Sequence, residues 1–313
     1  MNYLPLPDNA ARQVIDSTTV FTEFQRVKDQ AQRYAGSMYW KREGEYEYLV
    51  KTRPRRRTQE RLGSRSIETE RIFAEYTSRK QALESRLASL RDALTEAERM
   101  NKALKAGRTP NIVVDVLRVL EDAGLAEHFI VVGTHALYAY EAAASVRIVQ
   151  GALATQDVDL LWDARKRVQF MTDLEHLDAS MLSVLQRADA TFERKEGQNE
   201  TAINARGFEV DFLRRQPIEN DPHPFRFSED ERDLWPVQAV RASVLTTAPR
   251  FECAIVAVSG RMAIMRTIAP AAFVEFKRWM AQSAPQREEA KRRRDRLQAD
   301  IVQELLDQKM LIA

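Results

Sequence analysis

The chain reads as a mixed α/β (α+β) fold, a mixed sheet with helical regions before and after it. Three observations predict this. Between about Pro110 and Ile268, short apolar runs such as "HFIVVG", "DVDLLW" and "FEVDFL" alternate with helix-length stretches. From Ser66 to Lys105 there is neither Gly nor Pro, and apolar residues recur at helical spacing. From about Pro270 to Leu311 the texture is again helical.

Taken in order, Val14, Val20, Phe21, Phe24 and Val27 fall at mixed helical spacings. The polar "STT" interrupts them, so one or two helices are expected between Asn9 and Ala35, ending near Gly36. "MYWKREGEYEYLV" centres on Gly44 and reads as an aromatic hairpin carrying Tyr39, Tyr46, Tyr48 and Val50. "KTRPRRRTQERLGSR" follows, with seven basic residues from Lys51 to Arg65. A solvated loop is the favoured reading, diluted by Glu43, Glu45, Glu47 and Glu60. The alternative is a grip on RNA, with Trp40, Tyr46 and Tyr48 stacking on bases.

Leu83, Leu87, Leu90, Leu94, Ala97, Asn101 and Leu104 are spaced four and three in turn, the seam of a heptad helix about 60 Å long. A helix of that length must project or pair. Antiparallel packing on the first helices of the same chain and homodimerisation are both open. "KAGRTPN" ends the periodicity, which places boundaries at 1–108 (helical region with the hairpin), 109–268 (sheet-containing core) and 269–313 (C-terminal helices). Within the core the order is a helix ("IVVDVLRVLEDAGL"), the strand "HFIVVG", a helix from Thr134, the strand "DVDLLW", and helical stretches to about Ala188. Strands at "ATFERK", "TAINARG" and "FEVDFLRR" come next. A loop over 214–235 leads to two strands about Gly260.

Composition bounds function loosely. The 313 residues are 44% hydrophobic, enough for a real core. The 30% charged fraction exceeds the usual value of about 25% and suits long solvated helices. A net charge of +2 does not mark a nucleic-acid binder. The single cysteine, Cys253, excludes an intrachain disulfide and reads as a buried thiol. No secretory leader and no apolar run near 18 residues is visible, so a cytoplasmic protein without a membrane partner is expected.

The chemistry sits in three places. Gly133 directly after an apolar strand lets backbone approach a ligand, and Thr134 either caps the next helix or offers its hydroxyl to a phosphate. Asp157 and Asp159 stand two apart on a strand and so share a face, where they repel unless a cation lies between them. A solvated edge strand is the plainer alternative for that pair. Asp211 lies between Val210 and Phe212, where an acid is costly unless paired or bound to metal, and Glu209 either shares its face or does not. Together the three carboxylates suit hard divalent ions such as Mg²⁺ or Mn²⁺. His135 is expected to be a packing histidine without a catalytic role, and Leu137 and Tyr138 core residues.

"VVGTHAL", "DVDLLW" and "EVDFL" resemble the signature of the polymerase-β-like nucleotidyltransferase superfamily. The aromatic segment from Met38 to Leu49 and "LGSRSIETE" extend the likeness to a bacterial family of uncharacterised nucleotidyltransferase-like proteins. The resemblance implies a nucleotidyltransferase-type mixed sheet. It assigns Asp157, Asp159 and Asp211 to catalysis and to two Mg²⁺ (or Mn²⁺) ions, with Asp211 also helping to activate the acceptor hydroxyl, and Gly133 and Thr134 to the β and γ phosphates. Thr134 departs from the usual glycine or serine, and its methyl narrows that pocket. "APAAFVEFKRWM" resembles the element whose lysine contacts the triphosphate, making Lys277 the candidate; the bland reading is a surface lysine. "KRRRDRLQ", with Asp295, resembles a further family segment, though a solvated helix face is expected there. The implied activity is transfer of a nucleoside monophosphate from an NTP to a hydroxyl of RNA, protein or a small molecule, releasing pyrophosphate. An inactive binding or assembly module, or a toxin or defence component, is the alternative.

Overall fold

The computed structural model describes residues 2–53, 58–216, 225–284 and 287–312. They form two compact units, Arg12–Leu104 and a larger one of Met1–Ala11 with Lys105–Ala313. The chain begins with β1 (Tyr3–Pro5) and α1 (Asp8–Gln32). The "STT" segment does not break α1. Ser17 Oγ donates to Val14 O at 3.2 Å and Thr19 Oγ1 to Ile15 O at 3.0 Å, so these hydroxyls satisfy themselves on the preceding turn.

In the smaller unit β2 (Met38–Glu43), β3 (Tyr46–Arg53) and β4 (Thr58–Ser64) make an antiparallel sheet. The first two are the expected hairpin, turned at Gly44 with φ +64°. β4 corrects the solvated-loop expectation for the second half of the arginine-rich stretch. There Arg61 lies 3.1 Å from the Tyr48 ring centroid and bonds Glu43 at 2.9 Å, contacts that hold the edge strand in place. Arg55, Arg56 and Arg57 fall outside the described residues.

α2 (Ile67–Ala103) starts with a capping box, Ser66 and Thr69 bonding each other's backbone N–H. Its heptad seam is the less exposed face, with Leu90, Leu94 and Asn101 buried. α1 runs antiparallel along it. Gln13 Nε2 reaches Asn101 Oδ1 at 3.1 Å at one end, Arg86 and Glu23 approach to 3.7 Å midway, and the Tyr34 and Tyr76 rings lie 5.6 Å apart at the other. The long helix thus packs along α1 of its own chain.

The larger unit continues with α3 (Asn111–Ala123), closed by Gly124 at φ +74°, and β5 (Phe129–Val132). A short 3₁₀ turn at Gly133–Ala136 leads into α4 (Leu137–Ala143). β6 (Val146–Ile148), paired with β1, precedes α5 (Gln150–Leu153) and β7 (Asp157–Trp162). α6 (Arg167–His176), α7 (Met181–Gln186), β8 (Glu193–Arg194), β9 (Thr201–Ile203) and β10 (Glu209–Arg214) follow. β11 (Val237–Gln238), α8 (Ala242–Thr247), the β12–β13 hairpin (Arg250–Val256 and Met262–Ile268), α9 (Pro270–Gln282) and α10 (Glu289–Asp307) complete the chain.

Six strands build one mixed sheet in the order β5-β7-β10-β9-β8, with β11 beside β10. One face carries the core. Val158, Leu160, Val210 and Phe212 are at most 1% exposed, and Phe212 joins a cluster with Phe129, Phe170 and Phe227. Trp162 stacks on Phe225 with centroids 4.6 Å apart. Burying each such side chain is worth about 1.5–3 kcal/mol, so this face anchors the sheet to the core. Among the described residues no helix is long and apolar enough to cross a membrane.

Candidate active site

The opposite face of the same two strands carries the acids. β7 and β10 are parallel neighbours in register, pairing Asp157 with Glu209 and Asp159 with Asp211. Alternation along each strand then turns all four carboxylates away from the core. Glu209 therefore shares the face of Asp211, but Lys195 Nζ holds it at 2.6 Å. The other three converge, each offering one oxygen, with those oxygens within 4.8 Å of one another. The structure thus brings together Asp157, Asp159 and Asp211, and the edge-strand alternative fails because β7 lies between β5 and β10.

Two hydroxyls hold the outer carboxylates. Thr155 Oγ1 donates to Asp157, and Thr201 Oγ1 donates to Asp211 Oδ1 at 2.6 Å. No hydrogen bond or ion pair within the described residues reaches the Asp159 carboxylate. Burial, with the neighbouring charges of Asp157 and Asp211, pushes its pKa up to about 7. Asp211 is also raised, chiefly by burial, against the Thr201 hydrogen bond.

Val132 pairs with Asp159 across β5 and β7, so the residue after it must pass the carboxylate closely. That residue is Gly133. Its φ is +71°, and a β-carbon there would overlap the Asp159 carboxylate. Both facts demand glycine. Thr134 is buried inside the 3₁₀ turn and makes no side-chain cap, which removes the capping alternative; its Oγ1 accepts from Gln298 Nε2 at 3.2 Å.

Lys277 is no surface residue. It is 4% exposed, and its Nζ bonds Asp295 Oδ1 at 2.9 Å, while Arg287 holds Oδ2 at 2.8 Å. Asp295 is fully buried, which corrects the solvated-face expectation for its segment. The reason is spacing: the buried Asp295, Gln298, Val302 and Leu305 recur every three or four residues on α10, so one face of a charged helix turns inward. Asp157, Asp159, Asp211, Gly133, Thr134 and Lys277 all line a single cleft of about 880 Å³. Arg287, Lys291 and Arg294 add positive charge to it, and Leu245, Phe276 and Trp279 an apolar wall.

His135 is buried, its ring near Tyr138 and Phe208, and burial lowers its pKa to about 4, so it packs as a neutral ring. Leu137 and Tyr138 are core. Burial raises the Cys253 thiol to about 11.

A family model described as nucleotidyltransferase matches residues 111–311, well over half of the chain. The chain belongs to the nucleotidyltransferase family. No curated protein and no solved structure matches it.

Nucleotidyltransferases generally use divalent metals, and the donors here suit such an ion. They are all hard carboxylate oxygens, mutually repelling and without a Lys or Arg ion-paired to them among the described residues. Asp157, Asp159 and Asp211 are the residues able to hold it. Sequence reasoning passed over Thr155, Thr201, Lys195, Arg287 and Gln298 in this nucleotidyltransferase. Thr155 sits two residues before Asp157 and was locally readable; the other four act on partners eight or more positions away, and local spacing carries no signal for that. The helical repeat of Arg294, Asp295 and Gln298 on one face was also there to be read.

Proposed function

We propose that the protein transfers a nucleoside monophosphate from an NTP to an acceptor hydroxyl on RNA, protein or a small molecule, with release of pyrophosphate. The observation that carries this is the single cleft with three converged carboxylates at one end and Lys277, Arg287, Lys291 and Arg294 in its wall. Two Mg²⁺ or Mn²⁺ ions held by Asp157, Asp159 and Asp211 would supply neutralisation of the triphosphate and a more acidic acceptor hydroxyl.

The chain's own residues do the rest. Gly133 gives the phosphates close access to backbone, and Thr134 supplies a hydroxyl beside it. Lys277, held in place by Asp295, which offsets part of the lowering that burial imposes on its pKa, faces the phosphates with Arg287, where pre-set charge stabilises the in-line displacement. Asp211, held by the Thr201 hydroxyl at the edge of the cluster, takes the part that the resemblance assigns to it, helping to activate the acceptor hydroxyl. The apolar wall of Phe276 and Trp279 suits the nucleobase. Residues 1–108 form an appended helical region, 109–268 the transferase core and 269–313 the phosphate-side helices. Cytoplasmic location fits NTP supply.

The test is incubation with each labelled NTP, Mg²⁺ and, separately, total RNA, lysate protein and metabolite extract. Label should move into one pool with the native chain and into none with Asp157→Ala plus Asp159→Ala. No transfer to any pool, with NTP binding intact, would leave a binding module instead.

A further inference from the structure

Gln298 is fully buried, yet its Oε1 has no hydrogen-bond partner. A buried amide with an orphaned oxygen is costly, so packing alone favours an apolar residue there. What its other end does is specific. Nε2 lies 2.7 Å from Ala152 O and 3.2 Å from Thr134 Oγ1. A carbonyl only accepts, so the atom facing Ala152 must be the NH₂ group, and the amide cannot be flipped. Its two hydrogens then go to Ala152 O and to Thr134 Oγ1.

This constrains the threonine. A hydroxyl has one hydrogen and two lone pairs. With one lone pair taken by Gln298, its hydrogen must point elsewhere, and within the described residues Thr134 donates to nothing. The side chain lines the cleft beside Gly133 and the acidic end. An acceptor rich in oxygens is what such a donor fits.

We infer that Gln298 is a positioning residue: its amide, anchored on Ala152, sets the Thr134 hydroxyl as an obligate donor to a phosphate oxygen of the bound NTP. The inference rests on the NTP reading above and adds to it a residue on α10, 164 positions away in the chain. It also gives a use to threonine where the resemblance leads one to expect glycine or serine. The methyl restricts χ1, and the amide fixes the hydroxyl's polarity, so both degrees of freedom of the donor are set before the ligand arrives.

The test is a double-mutant cycle on the full chain, read as the Kd for the Mg²⁺ complex of the α,β-methylene analogue of ATP and, separately, for Mg²⁺ tripolyphosphate. Thr134→Val should weaken both about tenfold, the loss expected of one hydrogen bond to a charged oxygen. Gln298→Met should weaken them about fivefold in the native background and not at all in the Thr134→Val background, since it acts only through that hydroxyl. Gln298→Glu reverses the bond, because a carboxylate takes the Thr134 hydrogen for itself, and should weaken binding more than Gln298→Met. Thr134→Ser keeps the hydroxyl and loses only the methyl's restriction of χ1, so it should retain most of the affinity that Thr134→Val loses, which separates the hydroxyl from the fold. Additive losses would overturn the inference and make Gln298 merely structural. Equal binding by native and Thr134→Val chains would overturn it while leaving the NTP reading standing. A native chain that binds neither probe would sink both.

Discussion

Asp159 offers the sharpest test of the site, because the fold should be more stable without its charge. In the folded chain its pKa stands at about 7 against 3.8 for an unperturbed aspartate. Since the folded value is the higher one, the native state holds the proton more tightly. Stability is therefore greatest below the unfolded pKa and falls as pH rises from about 4 to about 7. A tenfold difference in proton affinity between the folded and unfolded chains is worth about 1.4 kcal/mol. With the group partly exposed and screened by solvent, a penalty of about 2 kcal/mol at pH 8 is expected. Asp159→Asn cannot ionise and escapes that penalty. In chelator at pH 8 the variant should melt about 4–8 °C above the native chain, and at pH 4 the two should coincide. Mn²⁺ should then raise the native chain and leave the variant nearly unmoved, because only the native site gains a ligand to relieve. Thermal melts followed by circular dichroism at both pH values, with and without Mn²⁺, read all of this. A variant less stable than the native chain in chelator at pH 8, or equal stabilisation of both by Mn²⁺, would refute the reasoning.

Other perturbations have equally definite outcomes. Gly133→Ala puts a β-carbon at φ +71° and into the Asp159 carboxylate, so it should cost about 1–3 kcal/mol in urea denaturation and abolish the Mn²⁺ response as Asp159 is displaced. An Ala variant as stable and as metal-responsive as the native chain contradicts the close approach. Asp295→Asn leaves Lys277 and Arg287 without their shared counter-ion. A loss of about 3 kcal/mol in the same measurement is expected, and a neutral result would mean the pair is open to water. Cys253, with its thiol raised to about 11, should resist iodoacetamide at pH 8 in the native state and react promptly in denaturant. Similar rates in both states would show the thiol to be free.

How much of this was legible beforehand differs from element to element. The α/β class, the hairpin about Gly44, the long helix from Ser66 and the shared face of Asp157 and Asp159 follow from periodicities of 3.5, 3.6 and 2, which are properties of the local chain. Even the need for glycine at 133 is signalled by its place between an apolar strand and a helix. The "STT" segment left one or two helices open, because its hydroxyls read as a break locally, while in α1 those of Ser17 and Thr19 bond back to the preceding turn. The second half of the arginine-rich stretch misled because charge is not an obstacle on an edge strand where Arg61 stacks on Tyr48 and pairs with Glu43.

What only the tertiary structure decided is which distant groups meet. No spacing places Asp211 opposite Asp159; the parallel register of β7 and β10 does. No local pattern says whether the long helix turns back on its own chain, and the Gln13 contact with Asn101 answers that. Lys277, Arg287 and Asp295 become one buried ion cluster, and Gln298 reaches Thr134, only when α9 and α10 fold against the sheet. Periodicity is written in neighbouring residues, whereas electrostatic and hydrogen-bond partners are chosen by packing, and packing is a property of the whole chain.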